Sequence, residues 1–218
     1  MGTGTTYRIV RAGESRSFNT VHPFTESSDA QGAGVVFMGA GAGQSFSGAG
    51  DLSALPFVAV ELDQECLGVH TGEDSGSEGS NVVGFARFRM GNSDPSPLVE
   101  LVHQPHTKDS AIAAARGVFE AAGLKVAVCG DFPGRIVNRL IRPYLNAALR
   151  RLDEKLASAQ DMDKTLCLGL GYPEGPISLL TRTGLAEHFD VTQALYLALG
   201  QEAYAPARRA QVAKARAQ

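Results

Sequence analysis

The segment GDFPGRIVNRLIRPYLNAALRRLDEKL, residues 130–156, constrains the fold more than any other part of the chain. Apolar side chains recur in it at helical spacing: Val137, Leu140, Ile141, Tyr144, Ala148, Leu152 and Leu156. This period predicts one long helix with a buried stripe, and Asp131 with Pro133 is a suitable N-cap and first-turn pair for it. Asn138 lies at the edge of the stripe, on the shoulder that also carries Leu145. Its amide can therefore face a cleft or cap a neighbouring loop.

The two parts of the chain differ in pattern. Residues 1 to about 104 hold most of the 25 glycines and short runs typical of strands: 6–10, 34–38, 57–62, 66–70, 81–89 and 98–103. The later part is mainly helical, with expected elements as follows: a helix over 108–122 capped by Thr107, a buried strand over 124–129, the long helix, a helix starting at the SAQD capping box, and stretches at about 177–182 and 184–199. These patterns predict an α/β fold with a strand-rich domain over 1–130 and an all-helical domain over 131–218.

Composition excludes several classes of function. The 218 residues carry a formal charge of -3 with a pI near 6.0, so neither nucleic acid nor an anionic membrane surface is an expected partner. No run of 18 apolar residues predicts a membrane span, and the first residues, MGTGTTYRIV, lack the features of a signal peptide. Cys66, Cys129 and Cys167 are far apart and outside any CxxC pattern. They predict neither a disulfide framework nor a metal site, and they favour a cytoplasmic location.

Two motifs in the later part carry a resemblance to a known family. VCGDFPGRIVNRLIRPYLNAAL and SAQDMDKTLCLGLGYPEGPISLL together resemble the C-terminal domain of the 3-hydroxyacyl-CoA dehydrogenases, over about residues 98–206. Those enzymes have a strand, then Asp/Asn-x-Pro-Gly-Phe-Ile/Val-x-Asn-Arg opening a long helix, then a short helix ending Gly-Leu-Gly-x-Pro-x-Gly-Pro. The positions that agree in order and spacing are Asp131, Pro133, Gly134, Val137, Asn138, Arg139, Pro143, Asn146, Asp161, Asp163, Gly169, Gly171, Pro173, Gly175 and Pro176. So many fixed positions are far more specific than one short motif.

The resemblance implies NAD-dependent oxidation of a 3-hydroxyacyl-CoA, as in fatty-acid β-oxidation. It places Asn138 in a cleft near the reacting carbon, and it places Glu100, in the strand PLVELV, as the carboxylate that orients a general base. It also implies an acyl-CoA ligand and a homodimer formed through the helical domain, with helices 133–156 and 184–199 as the contact.

The general base is missing from its expected position. The family has a histidine in the segment Gly-x-His-Phe-Phe-Asn-Pro, and the corresponding stretch here, GFARFRM, has Ala86 at that place. His103 is expected to point away from Glu100 on the strand, His106 lies in a polar turn, and His70 has no evident partner.

The cofactor site also departs from its pattern. VVFMGAGAGQ leads a strand into Gly39 and Gly41, and Glu61 or Asp63 follows about twenty residues later, where an acid would bind a ribose of NAD. The third glycine position is occupied by Gln44, and SFSGAGDLSALP is not expected to form the helix that receives a pyrophosphate. The strand-rich domain therefore reads as an abbreviated remnant of a dinucleotide-binding domain.

Three hypotheses follow from these departures. The chain is a working NAD-dependent 3-hydroxyacyl-CoA dehydrogenase with a relocated base, a non-catalytic relative that binds acyl-CoA or dimerises, or a subunit that completes its site with a partner chain. The absent histidine favours the second, because a side chain without a titratable group cannot transfer a proton.

Overall fold

One mixed sheet organises the first part of the chain in this computed structural model, which describes residues 5–72 and 79–217. The described strands, in the order in which they lie side by side, are β1 (Tyr7–Arg11), β2 (Gly34–Met38), β3 (Val58–Glu61), β4 (Val82–Arg87), β5 (Leu98–His103) and β6 (Lys125–Gly130). Neighbouring strands are parallel except for the antiparallel pair β4 and β5. Spatial order follows chain order throughout, so the described strands contain no point at which the order reverses.

The chain divides into two units, 1–89 with 95–135 and 90–94 with 136–218, called here the sheet unit and the helical unit. The helices described in the sheet unit are α1 (Pro23–Glu26), α2 (Ala42–Ser47), α3 (Gly68–Thr71) and α4 (Asp109–Ala121). Apolar side chains on one face of the sheet pack against α1 and α4, with Phe24 stacked on Phe119 at 4.5 Å between ring centroids. The other face packs against α2 and Leu67. Burying both faces explains the unbroken apolar run of β2.

Most strand predictions are confirmed, and two details are wrong. Residues 66–70 do not form a strand, because the Asp131 carboxylate accepts hydrogen bonds from the backbone N–H groups of Leu67 and Gly68, both at 2.7 Å, and α3 begins there. The strand predicted over 124–129 is β6, but it is not buried. Within the described residues β6 pairs with β5 alone, and Val128 is 38% exposed.

The helical unit contains α5 (Val137–Asp153), α6 (Ala159–Leu170), α7 (Pro176–Thr183), α8 (Leu185–Leu199), a 3-10 helix (Glu202–Tyr204) and α9 (Arg208–Arg216). Ser158 caps α6 as predicted, accepting from the N–H of Asp161 at 3.1 Å. Asp131 as the N-cap of the long helix is wrong, because α5 begins at Val137 and that carboxylate serves α3. The core of the unit is the cluster Leu145, Ala148, Leu149, Ile177, Leu180, Ala207 and Ala210.

The GLGYPEGP motif has a direct structural cause in this unit. Asp163 accepts from the backbone N–H groups of Ile177 at 2.8 Å and Ser178 at 2.9 Å, so it caps α7 from the preceding helix. Gly175 lies against Asp163, and a Cβ there would overlap the carboxyl group. Gly171 has φ +70°, the left-handed conformation that ends α6. The glycines thus let Asp163 reach the next helix.

The predicted fold class is confirmed: a strand-rich, mainly parallel sheet precedes an all-helical region. Among the described helices, none is both long and apolar enough to cross a membrane.

Candidate functional site

Glu100 faces Ala86 across the antiparallel pair of β4 and β5. The two residues are direct partners in the register, so their side chains lie on the same face of the sheet. Glu100 is 1% exposed and Ala86 is buried beside it. The position where the family pattern has a histidine is therefore next to the carboxylate, and a methyl group occupies it.

Arg135 is the cation that pairs with Glu100. Its Nε lies 3.4 Å from Glu100 Oε2, and its Nη2 donates to the backbone carbonyl of Asp63 at 2.6 Å. Sequence reasoning missed this residue. The available signal was an arginine where the family motif Pro-Gly-Phe has an aromatic ring, in a stretch that is otherwise apolar.

Cys129 lies in the electrostatic field of this pair. Burial raises the pKa of its thiol to about 11, and the negative charges of Glu100 and Asp131 act in the same direction, while the positive charge of Arg135 acts against them. The thiol therefore stays protonated at neutral pH. A protonated thiol is neither a good nucleophile nor a base.

Asn138 is buried in the helical unit, where its Oδ1 accepts from Nε of Arg142 at 2.9 Å. Arg142 Nη1 lies 2.9 Å from His188 Nδ1, and His188 Nε2 lies 3.0 Å from Asn146 Oδ1. This buried arginine was not foreseen as a partner of Asn138. A catalytic role for Asn138 stays a prediction.

The guanidinium fixes every orientation in this network, because arginine can only donate hydrogen bonds. Arg142 must donate to Nδ1 of His188, so the imidazole carries its proton on Nε2 and donates to Asn146. Burial lowers the pKa of His188 to about 3, and the nearby Arg142 charge lowers it in the same direction. The network thus contains a neutral histidine at physiological pH.

The residues predicted for NAD lie close together but bind each other. Glu61 Oε2 accepts from the backbone N–H of Gly39 at 2.7 Å, while its Oε1 accepts from Ser15 Oγ at 2.9 Å and the N–H of Ser17 at 2.8 Å. The N–H of Gly41 donates to the carbonyl of Ala12 at 2.8 Å. The acceptor and the donors expected to contact a dinucleotide therefore already have partners within the chain.

The helix α2 begins directly after Gly41. The expectation that no helix forms in this region is therefore wrong for residues 42–47. The helix ends at Ser47, so it has only six residues and the remainder of the predicted loop follows it. Gly43 allows this short helix to contact the His70 ring, which a Cβ would overlap. The local sequence could not predict this contact, because Gly43 lies in α2 and His70 lies in α3.

The other histidines of the sheet unit have contacts of their own. His70 Nε2 lies 3.5 Å from Glu65 Oε1, and His103 Nδ1 lies 3.1 Å from the carbonyl of Gln104. His106 is exposed. Within the described residues, no group of three or more histidine, cysteine or acidic side chains could hold a metal ion.

The helical unit is similar in sequence to known proteins. Residues 134–217 match the family model for the 3-hydroxyacyl-CoA dehydrogenase C-terminal domain. The helical unit is therefore similar to the C-terminal domain of the 3-hydroxyacyl-CoA dehydrogenases. Human mitochondrial hydroxyacyl-coenzyme A dehydrogenase is 41% identical over 102 residues, which are 46% of this chain and 32% of that protein. The 3-hydroxybutyryl-CoA dehydrogenase of Bradyrhizobium diazoefficiens is 34% identical over 109 residues, 50% of this chain and 37% of that protein.

Solved structures extend the likeness from the helical unit to the sheet unit, at the level of fold alone. The (S)-3-hydroxybutyryl-CoA dehydrogenase from Ralstonia eutropha has a TM-score of 0.70 at 24% identity, covering 85% of this chain and 66% of that one. The match to the curated relatives spans about a third of their length. The shared fold alone carries no activity to this chain.

A dinucleotide does not fit the residues that were predicted to bind it. In doubly wound sheets the dinucleotide lies where the strand order reverses, and the described strands run in sequential order. The Gly39 N–H already donates to Glu61. The Glu61 carboxylate, which would bind a ribose, accepts hydrogen bonds from Gly39, Ser15 and Ser17 instead. The cofactor roles of Gly39, Gly41 and Glu61 stay predictions, and these hydrogen bonds count against them.

Proposed function

We propose that this chain is a member of the 3-hydroxyacyl-CoA dehydrogenase family that binds acyl-CoA without transferring hydride. The observation that supports the proposal best is the environment of Glu100, which faces Ala86 across the sheet and is paired with Arg135.

The chemistry of that environment argues against proton transfer. A general base must accept a proton near neutral pH, and neither a methyl group nor a guanidinium can do so. Cys129, which lies in the field of the same pair, keeps its proton because burial raises its pKa to about 11. Loss of a general base typically reduces catalysis by about 100-fold to 10,000-fold.

Acyl-CoA as the ligand is supported by the relatives, which are named for hydroxyacyl-CoA and hydroxybutyryl-CoA and align with the helical unit. The same unit exposes large apolar side chains, which support a homodimer through its helices: Leu140, Leu156, Leu168, Leu170 and Leu197.

Two measurements on the purified chain test this function. Isothermal titration is expected to detect binding of acetoacetyl-CoA and no binding of NADH, and the nicotinamide absorbance of a mixture of both is expected to stay constant. Oxidation of NADH that disappears in Glu100→Gln and Asn138→Ala would instead establish a working dehydrogenase, the second candidate. Retention of a buried Glu100 and a buried Asn138 is the observation that favours this second candidate.

A further inference from the structure

Arg135 has a buried donor without a partner among the residues described. The residue is 6% exposed, its Nε and Nη2 contact Glu100 and the Asp63 carbonyl, and Nη1 has no hydrogen-bond acceptor. Leaving such a donor without an acceptor destabilises the folded protein, and more so for a charged group. Buried polar groups in folded proteins almost always have partners, so this exception requires an explanation.

The backbone holds the guanidinium in this place at some cost. Arg135 has φ +53°, in the left-handed region that side chains other than glycine rarely adopt. Two backbone hydrogen bonds fix the turn, from Arg135 N–H to Phe132 O at 3.1 Å and from Gly134 N–H to Gln64 O at 3.2 Å. A strained, well-anchored conformation that positions an unpaired donor is typical of binding sites.

The charge balance around Nη1 indicates the kind of acceptor. Both side chains of the Arg135 and Glu100 pair are almost completely buried, at 4% and 1% exposure, so the pair is close to neutral as a whole. A full negative charge brought beside it would have to be desolvated against Glu100. A carbonyl oxygen, which accepts hydrogen bonds and carries only a partial charge, fits better than a phosphate or a carboxylate.

We infer that Arg135 binds ligand, with Nη1 donating to a carbonyl oxygen of an acyl thioester. This inference rests on the proposed function and gives it a contact residue in the sheet unit. Arg135 in this role orients and polarises an acyl group, while Glu100 holds the guanidinium in place.

Three ligands measured by isothermal titration test the inference: acetoacetyl-CoA, free CoA, and S-butyl-CoA, a thioether that lacks the acyl carbonyl. Lysine keeps the positive charge but cannot reproduce the planar fork of five N–H donors of the guanidinium. We expect Arg135→Lys to weaken the binding of acetoacetyl-CoA by about 10-fold or more, as for loss of one hydrogen bond from a charged donor. The affinities for free CoA and S-butyl-CoA should change by less than about twofold. The matched control is Arg116→Lys, on the exposed face of α4, with no change for any ligand.

The outcomes separate the inference from the proposed function. If the unmodified chain binds no acyl-CoA, the proposed function is wrong and the inference fails with it. Binding by the unmodified chain with equal losses for all three ligands in Arg135→Lys, or no loss at all, overturns the inference alone. A second measurement needs no variant: acetoacetyl-CoA labelled with carbon-13 at its carbonyls should show a downfield carbonyl shift on binding, and its absence would also overturn the inference.

Discussion

Glu61 and Gly39 are joined by a hydrogen bond of 2.7 Å between carboxylate and backbone N–H, and the same carboxylate accepts from Ser15 and Ser17. An acid after one strand and a glycine after its neighbour are the pair that a dinucleotide site would use. Here they connect the ends of β2 and β3 to the loop after β1. Glu61 therefore stabilises the edge of the sheet where a cofactor was predicted.

This role of Glu61 predicts that Glu61→Gln destabilises the protein by about 2 kcal/mol, because an amide cannot accept all three hydrogen bonds and its NH2 group would face a donor. Urea denaturation measures the free energy of unfolding. The control is Glu14→Gln, an exposed glutamate nearby, with an expected change below about 0.5 kcal/mol. A tolerated Glu61→Gln would show that the carboxylate has no structural role.

The buried pair of Glu100 and Arg135 predicts a strong coupling between the two positions. Arg135→Met leaves the carboxylate buried without its cation, and we expect a loss of about 3–5 kcal/mol in the free energy of unfolding. The double variant Glu100→Leu with Arg135→Met removes both charges and should recover most of that loss. The exposed pair of Arg116 and Glu120 is the control, with a coupling below about 1 kcal/mol. Additive single effects at Glu100 and Arg135 would contradict the pairing.

His188 makes the stability of the helical unit depend on pH. Its folded pKa of about 3 lies below the ordinary value of 6.5, so the unfolded chain binds the extra proton and stability falls as the pH falls from about 6.5 towards 3. The expected slope is about 1.4 kcal/mol for each pH unit within that window. Urea unfolding followed by circular dichroism at pH 7 and pH 5 checks it, comparing His188→Gln, which should lose this slope, with His106→Gln, which should keep it.

Asp163 caps α7, so the GLGYPEGP motif is expected to contribute to the stability of the fold. Asp163→Ala removes the acceptor of the first N–H groups of α7, and we expect a loss of about 1–2 kcal/mol in the free energy of unfolding. Asp190→Ala, which removes an exposed ion pair with Lys214, should cost less than about 1 kcal/mol. Equal losses of unfolding free energy in the two variants would show that Asp163 does not cap α7.

Cys129 should resist alkylation in the folded protein. A pKa of about 11 instead of 9.0 lowers the thiolate fraction at pH 8 by about 100-fold. Mass spectrometry of the Cys129 peptide after iodoacetamide treatment, in the native and the urea-unfolded protein, measures the difference. Because Arg135 lowers this pKa, Arg135→Met should slow the native reaction further. A native rate equal to the unfolded rate would contradict the partly buried location of Cys129.

The parts of the fold that could be predicted from sequence are those with local causes. Ser158 with Asp161 starts α6 through contacts three residues apart, and short runs of mostly apolar residues mark β2 and β5 correctly. Glu100 and Asn138 were selected by resemblance and are both buried, although their predicted roles are not tested.

The remainder depends on partners that are distant along the chain. The strand predicted over 66–70 is a helix because of a carboxylate 64 residues away, and Arg135 reaches the Asp63 carbonyl over 72 residues. Arg142 and His188 meet across 46 residues. No local pattern contains such contacts, so sequence reasoning assigned no role to Arg135 and Arg142 and the wrong one to Asp131.

The bond from Asp131 to Leu67 and Gly68 has a consequence for synthesis on the ribosome. The residues of α3 are synthesised long before Asp131, whose carboxylate accepts the first N–H groups of this helix. Strand β6 and Arg135 are synthesised at about the same late stage as Asp131. Co-translational folding of the sheet unit should therefore finish only after residue 135 has left the exit tunnel. Until then the nascent polypeptide presents an incomplete sheet edge to chaperones.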